Sequence, residues 1–143
     1  MDERKTAPFR EQHDILEKIA GELAVCIADS GNVLNNSDRI YRLLTDLARN
    51  IKVHLTLEDA SLYPVLTIID DQSVSDVSAG FVQEMGGIKE TLDAYFSKWS
   101  SGYAIKENSE LFMAETDGIL KALRDRIERE NNVLYPMIDE LFD

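Results

Sequence analysis

Five ionisable side chains stand on stripes of helical spacing that are otherwise apolar, and their types suit metal binding. They are His13, His54, Glu58, Arg126 and Glu130. His54 and Glu58 are four residues apart, as are Arg126 and Glu130, so each pair shares one helical face. A buried carboxylate is costly unless it is paired or binds a metal. Polar groups that converge from facing helices of a bundle are a known way to hold an ion.

An internal repeat with an offset of 72 residues relates these side chains to one another. The motif His54-Leu55-x-x-Glu58-Asp59-x-x-Leu62-Tyr63-Pro64 recurs as Arg126-Ile127-x-x-Glu130-Asn131-x-x-Leu134-Tyr135-Pro136. With the same offset, His13 corresponds to Met85. Both histidines of the chain therefore lie in its first half, at positions that the second half fills with other residues. An internal repeat sets the architecture of a fold. This repeat predicts a site built from corresponding positions of the two halves, of which the second half lacks the histidines.

Four long segments of helical periodicity must position these residues. They run from about residue 8 to 29, 37 to 69, 74 to 100 and 109 to 142. Gly31 marks the end of the first segment. Pro64 and Pro136 predict a bend or a break, since proline removes a backbone hydrogen bond. No alternation of apolar and polar residues indicates a strand.

Each segment carries one inward stripe with spacings of four and three residues. The stripes are Phe9, His13, Leu16, Ala20, Leu23 and Ile27; Ile40, Leu44, Leu47, Ile51, His54 and Glu58; Phe81, Met85, Ile88, Leu92, Tyr95 and Trp99; and Phe112, Thr116, Ile119, Leu123, Arg126 and Glu130. Such seams predict an all-α fold, an antiparallel up-down-up-down four-helix bundle. A chain of 143 residues is expected to form one domain, residues 1–143.

Charge and composition narrow the classes of partner. The net charge of −12 argues against binding to nucleic acid or to an anionic membrane. The single cysteine, Cys26, cannot form an internal disulfide and is expected to be a buried, inert thiol. No signal peptide or membrane span is expected, and we predict a cytoplasmic protein.

The pattern of His13, then His54-x-x-x-Glu58 before Leu62-Tyr63-Pro64, resembles the haemerythrin-like domain, also called the cation-binding HHE domain. The resemblance covers about residues 9–142. It implies a bundle that holds two irons, in a family whose members bind or sense oxygen, store or sense iron, or handle nitric oxide and peroxide. Position by position, the resemblance makes His13, His54, Glu58 and Glu130 metal ligands.

Two expected histidines are replaced. Met85 stands where the family's third helix supplies a histidine, and Arg126 stands where its fourth helix does. In the family the two remaining histidines serve the same iron, so dinuclear iron and reversible oxygen carriage are disfavoured.

Three outcomes follow for the site. In the first, one Fe, Zn or Mn ion binds two histidines and two carboxylates, and Arg126 replaces the lost cation by pairing with Glu58 or Glu130. In the second, no metal binds and Arg126 pairs with both glutamates. In the third, Met85 is itself a ligand, as a soft thioether would be for Cu(I). The first is favoured.

The remaining residues of the motifs have simpler interpretations. Met85 is expected to fill core space. Asp59 and Asn131 lie off the stripes and should face solvent or support the site, and Glu84 is expected at the surface. Tyr63 and Tyr135 are interpreted as packing residues of the Leu-Tyr-Pro turns.

Two main hypotheses for the function of the protein follow from these residues. The favoured hypothesis is a metal-binding or sensing protein with a mononuclear site of two histidines and two carboxylates, whose partner is a metal ion. The alternative is a metal-free bundle that acts as an interaction or small-molecule-binding scaffold. A redox enzyme is permitted by the sequence, but no catalytic motif argues for one.

Overall fold

The chain folds into helices alone throughout the part that the structure, a computed structural model, describes, residues 3–142. They are α1 (Ala7–Cys26), α2 (Ser30–Asn35), α3 (Ser37–Ser61), α4 (Tyr63–Thr67), α5 (Gln72–Lys98), α6 (Gly102–Glu107), α7 (Ser109–Arg129), a π turn (Glu130–Leu134) and α8 (Tyr135–Leu141). The predicted all-α bundle is confirmed, with α1, α3, α5 and α7 as its long helices. None of the helices within residues 3–142 combines the length and the apolar character that crossing a membrane requires.

The predicted bounds were too long where a local bond or a proline ends a helix. The α1 helix ends at Cys26 rather than residue 29, and the Asn32 side chain donates to the Cys26 carbonyl at 2.9 Å. Asp29 then caps α2 by accepting from the Gly31 backbone at 3.2 Å. Gly31 therefore lies inside a new short helix instead of closing the first one.

The two prolines break their helices in different ways. The second predicted helix, residues 37–69, stops at Ser61, and α4 begins two residues later with Pro64 in its first turn. In the fourth, the backbone widens into the π turn just before Pro136. A proline ring clashes with the carbonyl four residues earlier, so the chain must break or widen there.

The third predicted helix differs at both ends. It begins at Gln72 because Asp71, not a serine, provides the cap, accepting from the backbone of Ser73 at 2.9 Å and Val74 at 3.2 Å. It ends at Lys98 rather than residue 100. The following connection forms α6, capped by Ser101, which accepts from the Ala104 backbone at 3.0 Å.

The inward stripes form two separate apolar clusters. The larger cluster contains the stripe residues that follow His13 in α1 and precede His54 in α3, with partners from α5, α6 and α7. The smaller cluster is built from Phe9, Leu62, Leu66, Val74, Phe81, Leu134, Tyr135 and Ile138. Met85 and Ile88 are only half-buried, whereas the rest of the predicted stripe residues are buried. The ionisable stripe residues fall between the two clusters, where the chain must provide them with partners.

Candidate metal centre

A layer of polar side chains separates the two apolar clusters. It consists of His13 on α1, His54 and Glu58 on α3, Arg126 on α7, Glu130 at the start of the π turn and Tyr135 at the start of α8. Each of the six is at most 4% exposed to solvent. The four predicted ligand residues, His13, His54, Glu58 and Glu130, are therefore all buried in one layer.

Three of these residues present ligand atoms to one another in a small triangle. The Nε2 atoms of His13 and His54 are 3.1 Å apart, and Glu130 Oε1 lies 2.8 Å from the first and 3.4 Å from the second. Within residues 3–142, His13, His54 and Glu130 form the group whose ligand atoms lie close enough to share an ion. Two donors bound side by side to one octahedral ion at about 2.1 Å lie about 3.0 Å apart, and a tetrahedral ion spaces them somewhat wider. The triangle has this size.

The other ring nitrogen of each histidine is held by an amide oxygen. Asn131 Oδ1 lies 2.8 Å from His13 Nδ1, and Gln12 Oε1 lies 2.7 Å from His54 Nδ1. An oxygen acceptor at Nδ1 favours the tautomer with the proton on Nδ1, which leaves the lone pair of Nε2 directed at the triangle. Outer partners of this kind commonly orient histidine ligands of metals.

Glu130 divides its two carboxylate oxygens between two cationic positions. Its Oε1 faces the histidines, and its Oε2 lies 3.4 Å from Arg126 Nε. Arg126 also approaches Glu84 Oε1 at 3.5 Å, donates to the Tyr63 hydroxyl at 3.2 Å and stacks over the Phe81 ring at 4.7 Å. The predicted inward ion pair of Arg126 is thus with Glu130, and Arg126 takes a position beside the triangle.

Two carboxylate oxygens in the layer lack a hydrogen bond. Glu58 Oε1 and Glu130 Oε2 have no donor in hydrogen-bonding geometry, although Glu58 Oε1 lies 3.3 Å from His54 Nε2. Buried polar atoms nearly always have a partner, and an unsatisfied carboxylate is especially costly. A cation beside the histidines would give Glu58 Oε1 a partner, while the Arg126 guanidinium neutralises Glu130 Oε2, so the residues present fit one metal ion.

The space inside the layer suits one small species. The cavity has a volume of about 20 Å³, and it is lined by His13, His54, Glu58, Arg126 and Glu130 together with Met85 and apolar neighbours. A cavity needs roughly 10–15 Å³ on such a measure to hold one water molecule. The cavity is therefore large enough for one water-sized species.

The electrostatics of the layer stabilise a positive charge near the triangle. Burial by itself lowers the pKa of His54, but the hydrogen bond to Glu130 and the close contact with the Glu58 carboxylate outweigh it and raise that pKa to about 9. Burial opposes ionisation of Glu130, yet hydrogen bonds from His13 and His54 hold its pKa well below the usual range. Burial raises the pKa of Glu58 and that of the Tyr135 phenol. These contacts favour a proton on His54 in the metal-free protein.

Raising the pH should destabilise the metal-free protein through His54. Its folded-state pKa of about 9 lies above the ordinary value of 6.5, so its ion pairs stabilise the fold fully below pH 6.5. Their contribution, roughly 3 kcal/mol at about 1.36 kcal/mol per pKa unit, is lost as the pH rises through about 9. Urea unfolding at about pH 6 and about pH 9.5 measures this loss. A His54→Gln variant that loses as much stability over the same range would contradict the assignment.

Three further residues contact the ligand atoms. Asn131 supports His13, which is one of the two roles predicted for it, whereas Gln12 at His54 was not anticipated from the sequence. Tyr135 was interpreted as a packing residue, but it brings its hydroxyl within 3.1 Å of Glu58 Oε2. The π turn explains Tyr135, because its backbone N–H bonds the Glu130 carbonyl five residues back. One added residue per turn moves position 135 onto the face of Glu130, where α-helical spacing does not place it. The only sequence signal for this change is Pro136.

Glu84 lies at the edge of the layer rather than fully on the surface. Its side chain is 34% exposed and forms a two-pronged ion pair with Arg129 as well as the contact with Arg126. The Arg129 guanidinium holds the pKa of Glu84 below its usual value. Glu84 therefore helps to fix Arg126 in its inward position.

Comparison with known protein families bears on the same residues. The family described as "Hemerythrin HHE cation binding domain" matches residues 5–138, which include the whole polar layer. No significant match was found among curated proteins or among solved structures. The match confirms the resemblance that the two motifs indicated. Since it spans nearly all of the chain, the protein belongs to the hemerythrin HHE cation-binding domain family.

Proposed function

We propose that the protein binds one divalent transition-metal ion between His13, His54 and Glu130 and serves as a metal-binding or metal-sensing module. The observation that carries the proposal is the triangle of lone-pair atoms, 2.8 to 3.4 Å apart, at the centre of a buried layer. Three such atoms repel one another unless protons or a cation lie between them. Two imidazoles and a carboxylate suit Fe(II), Zn(II) or Mn(II).

The fourth predicted ligand, Glu58, lies beside the triangle. Its unbonded Oε1 is 3.3 Å from His54 Nε2, so it is available as a further oxygen donor or as a counter-charge. Its binding to the ion stays a prediction. The site with Glu58 included is the mononuclear centre of two histidines and two carboxylates.

Arg126 would supply the second positive charge of the layer. Its guanidinium lies 3.4 Å from Glu130 Oε2, the oxygen that faces away from the histidines. A fixed guanidinium next to a carboxylate neutralises it without a metal. This supports one ion per chain rather than two.

Metal binding would couple to the stability of the bundle. The three donors come from α1, α3 and the start of the π turn, so an ion fastens segments that are distant in sequence. A ligand that binds only the folded state stabilises it by about 4 kcal/mol at a thousandfold excess over its Kd. A sensing role would use this coupling, and a proton on His54 would compete with the ion.

The proposal is tested by loading the metal-free protein anaerobically with Fe²⁺, Zn²⁺ or Mn²⁺ and measuring bound metal by elemental analysis. We expect about one ion per chain, a raised Tm, and loss of both effects in His54→Ala. Asp59→Ala is the matched control, because Asp59 is an exposed acid on the same helix and should not affect binding. Absence of bound metal in the unmodified protein would refute the proposal.

A second candidate function, binding of a small apolar molecule by a metal-free bundle, is favoured by a pocket next to the smaller cluster. The pocket has a volume of about 350 Å³ and is lined mainly by Phe9, Leu62, Leu66 and Ile138. Pockets of this size and character hold small ligands. If no metal binds, saturable binding of an apolar fluorescent dye that Leu66→Glu abolishes would support this function instead.

A further inference from the structure

A fourth potential donor atom completes the group of ligand atoms in the polar layer. The Tyr135 hydroxyl lies 3.2 Å from His13 Nε2, 3.5 Å from His54 Nε2 and 3.5 Å from Glu130 Oε1. We propose that Tyr135 is itself a ligand of the ion, bound through its phenolate oxygen. This inference rests on the proposed metal site and adds a tyrosinate to its two histidines and carboxylate.

The four atoms form an irregular tetrahedron. All six distances between them lie from 2.8 to 3.5 Å. Four donors at about 2.0–2.1 Å around one tetrahedral ion lie about 3.3–3.4 Å apart. Phenolate is an established ligand of ferric iron. The spacing of these atoms is therefore that of a ligand set.

The aromatic rings support the same arrangement. The rings of His13 and Tyr135 are stacked, with centroids 5.1 Å apart and planes inclined by 22°. Nearly parallel rings with polar atoms 3.2 Å apart direct both atoms toward the same region. Tyr135 is fully buried, so its hydroxyl is expected to find its partners within the layer.

The repeat gives an independent argument. Tyr63 precedes Tyr135 by 72 residues, and its hydroxyl accepts from Arg126, the residue that corresponds to His54. Tyr135 in turn approaches His54 itself. Each tyrosine therefore contacts a residue of the other repeat. Tyr63 contacts the guanidinium of Arg126, and Tyr135 contacts His54, where the proposed metal would supply the positive charge.

The charges of the layer favour a phenolate once an ion is bound. A divalent ion and Arg126 carry three positive charges, and Glu58 with Glu130 supplies two negative ones. The phenolate would supply the third, while Glu84 is balanced by Arg129. On ligation the O–H bond of Tyr135 breaks, the oxygen bonds the ion, and the proton passes to Glu58 Oε2, 3.1 Å away, and then to solvent. Nothing is oxidised or reduced.

The test is spectroscopic and uses ferric iron, produced by treating the anaerobically loaded ferrous protein with ferricyanide. Ferric tyrosinate gives a visible charge-transfer band and tyrosinate modes in the resonance Raman spectrum. We expect both signatures in the unmodified protein and in the matched control Tyr63→Phe, and neither in Tyr135→Phe. Loss of a residue that only supports a metal ligand typically lowers the metal affinity by about 10–100-fold. We expect Tyr135→Phe to lower the affinity for Fe²⁺ by more than this.

The outcomes distinguish this inference from the proposed site itself. Bound iron without a tyrosinate band, or a band that persists in Tyr135→Phe, would overturn the role of Tyr135 and leave the metal site in place. Absence of bound iron in the unmodified protein would overturn both. Phenylalanine preserves the ring stack on His13, and circular dichroism with thermal unfolding of the metal-free variants will show that each is folded.

Discussion

Glutamine at position 130 should abolish metal binding, whereas glutamine at position 58 should leave most of it intact. Glu130 Oε1 lies 2.8 and 3.4 Å from the two histidine nitrogens, while Glu58 Oε1 is 3.3 Å from His54 alone. We therefore expect the metal affinity to fall at least about a hundredfold in Glu130→Gln and about tenfold in Glu58→Gln. Anaerobic titration with Fe²⁺ or Zn²⁺ measures both.

The two variants are matched, because the repeat places the glutamates at corresponding positions and the substitution is the same. Glu130→Gln should also destabilise the metal-free fold, by up to about 3 kcal/mol, since it removes the buried ion-pair partner of Arg126 and leaves only the contact with the partly exposed Glu84. The binding data should therefore be collected below the Tm of each variant. Equal losses of affinity would make Glu58 a full ligand, and a larger loss in Glu58→Gln would contradict the ligand triangle.

Restoring histidine at both altered repeat positions should raise the amount of bound iron. Met85 and Arg126 both line the small central cavity, facing the same layer as the two histidines. The double substitution Met85→His with Arg126→His removes the guanidinium from Glu130 Oε2 and frees that oxygen for a second ion. We expect the stoichiometry under anaerobic loading to rise from about one toward about two irons per chain.

Arg126→His alone is the control for this experiment. It removes the same positive charge but adds only one histidine, so it should not hold a second iron firmly. A folded double variant that gains no iron over the unmodified protein would count against the ligand assignment that the repeat implies. Circular dichroism distinguishes that result from simple unfolding.

The burial of the site could be predicted from residue spacing alone. Every member of the α3 stripe, from Ile40 to Glu58, is buried, because alternating spacings of four and three keep one helical face inward. The same argument placed Arg126 inside and directed it toward a glutamate. Periodicity is a property of the backbone, so it survives when a charged residue replaces an apolar one.

The part that could not be predicted depends on departures from that periodicity. The π turn rotates Tyr135 onto the face of Glu130. The pattern of apolar residues in the sequence does not indicate that one residue is added to this helical turn. Gln12 and Asn131 reach their histidines across helix interfaces. Such contacts depend on how neighbouring helices are shifted along the bundle axis, which the apolar stripe of a single helix does not specify. The short helices α2 and α6 depend on single caps, Asp29 and Ser101.

The layer between two apolar clusters has a consequence for kinetics. Its side chains are at most 4% exposed, and the smaller cluster, which includes Phe9, Leu134 and Ile138, covers it on one side. An ion bound there, as proposed, would therefore enter or leave when part of the bundle opens transiently, and opening on this side would depend on the stability of the smaller cluster. Exchange of the ion with a chelator should then be slow, independent of chelator concentration, and faster in variants that weaken that end of the bundle.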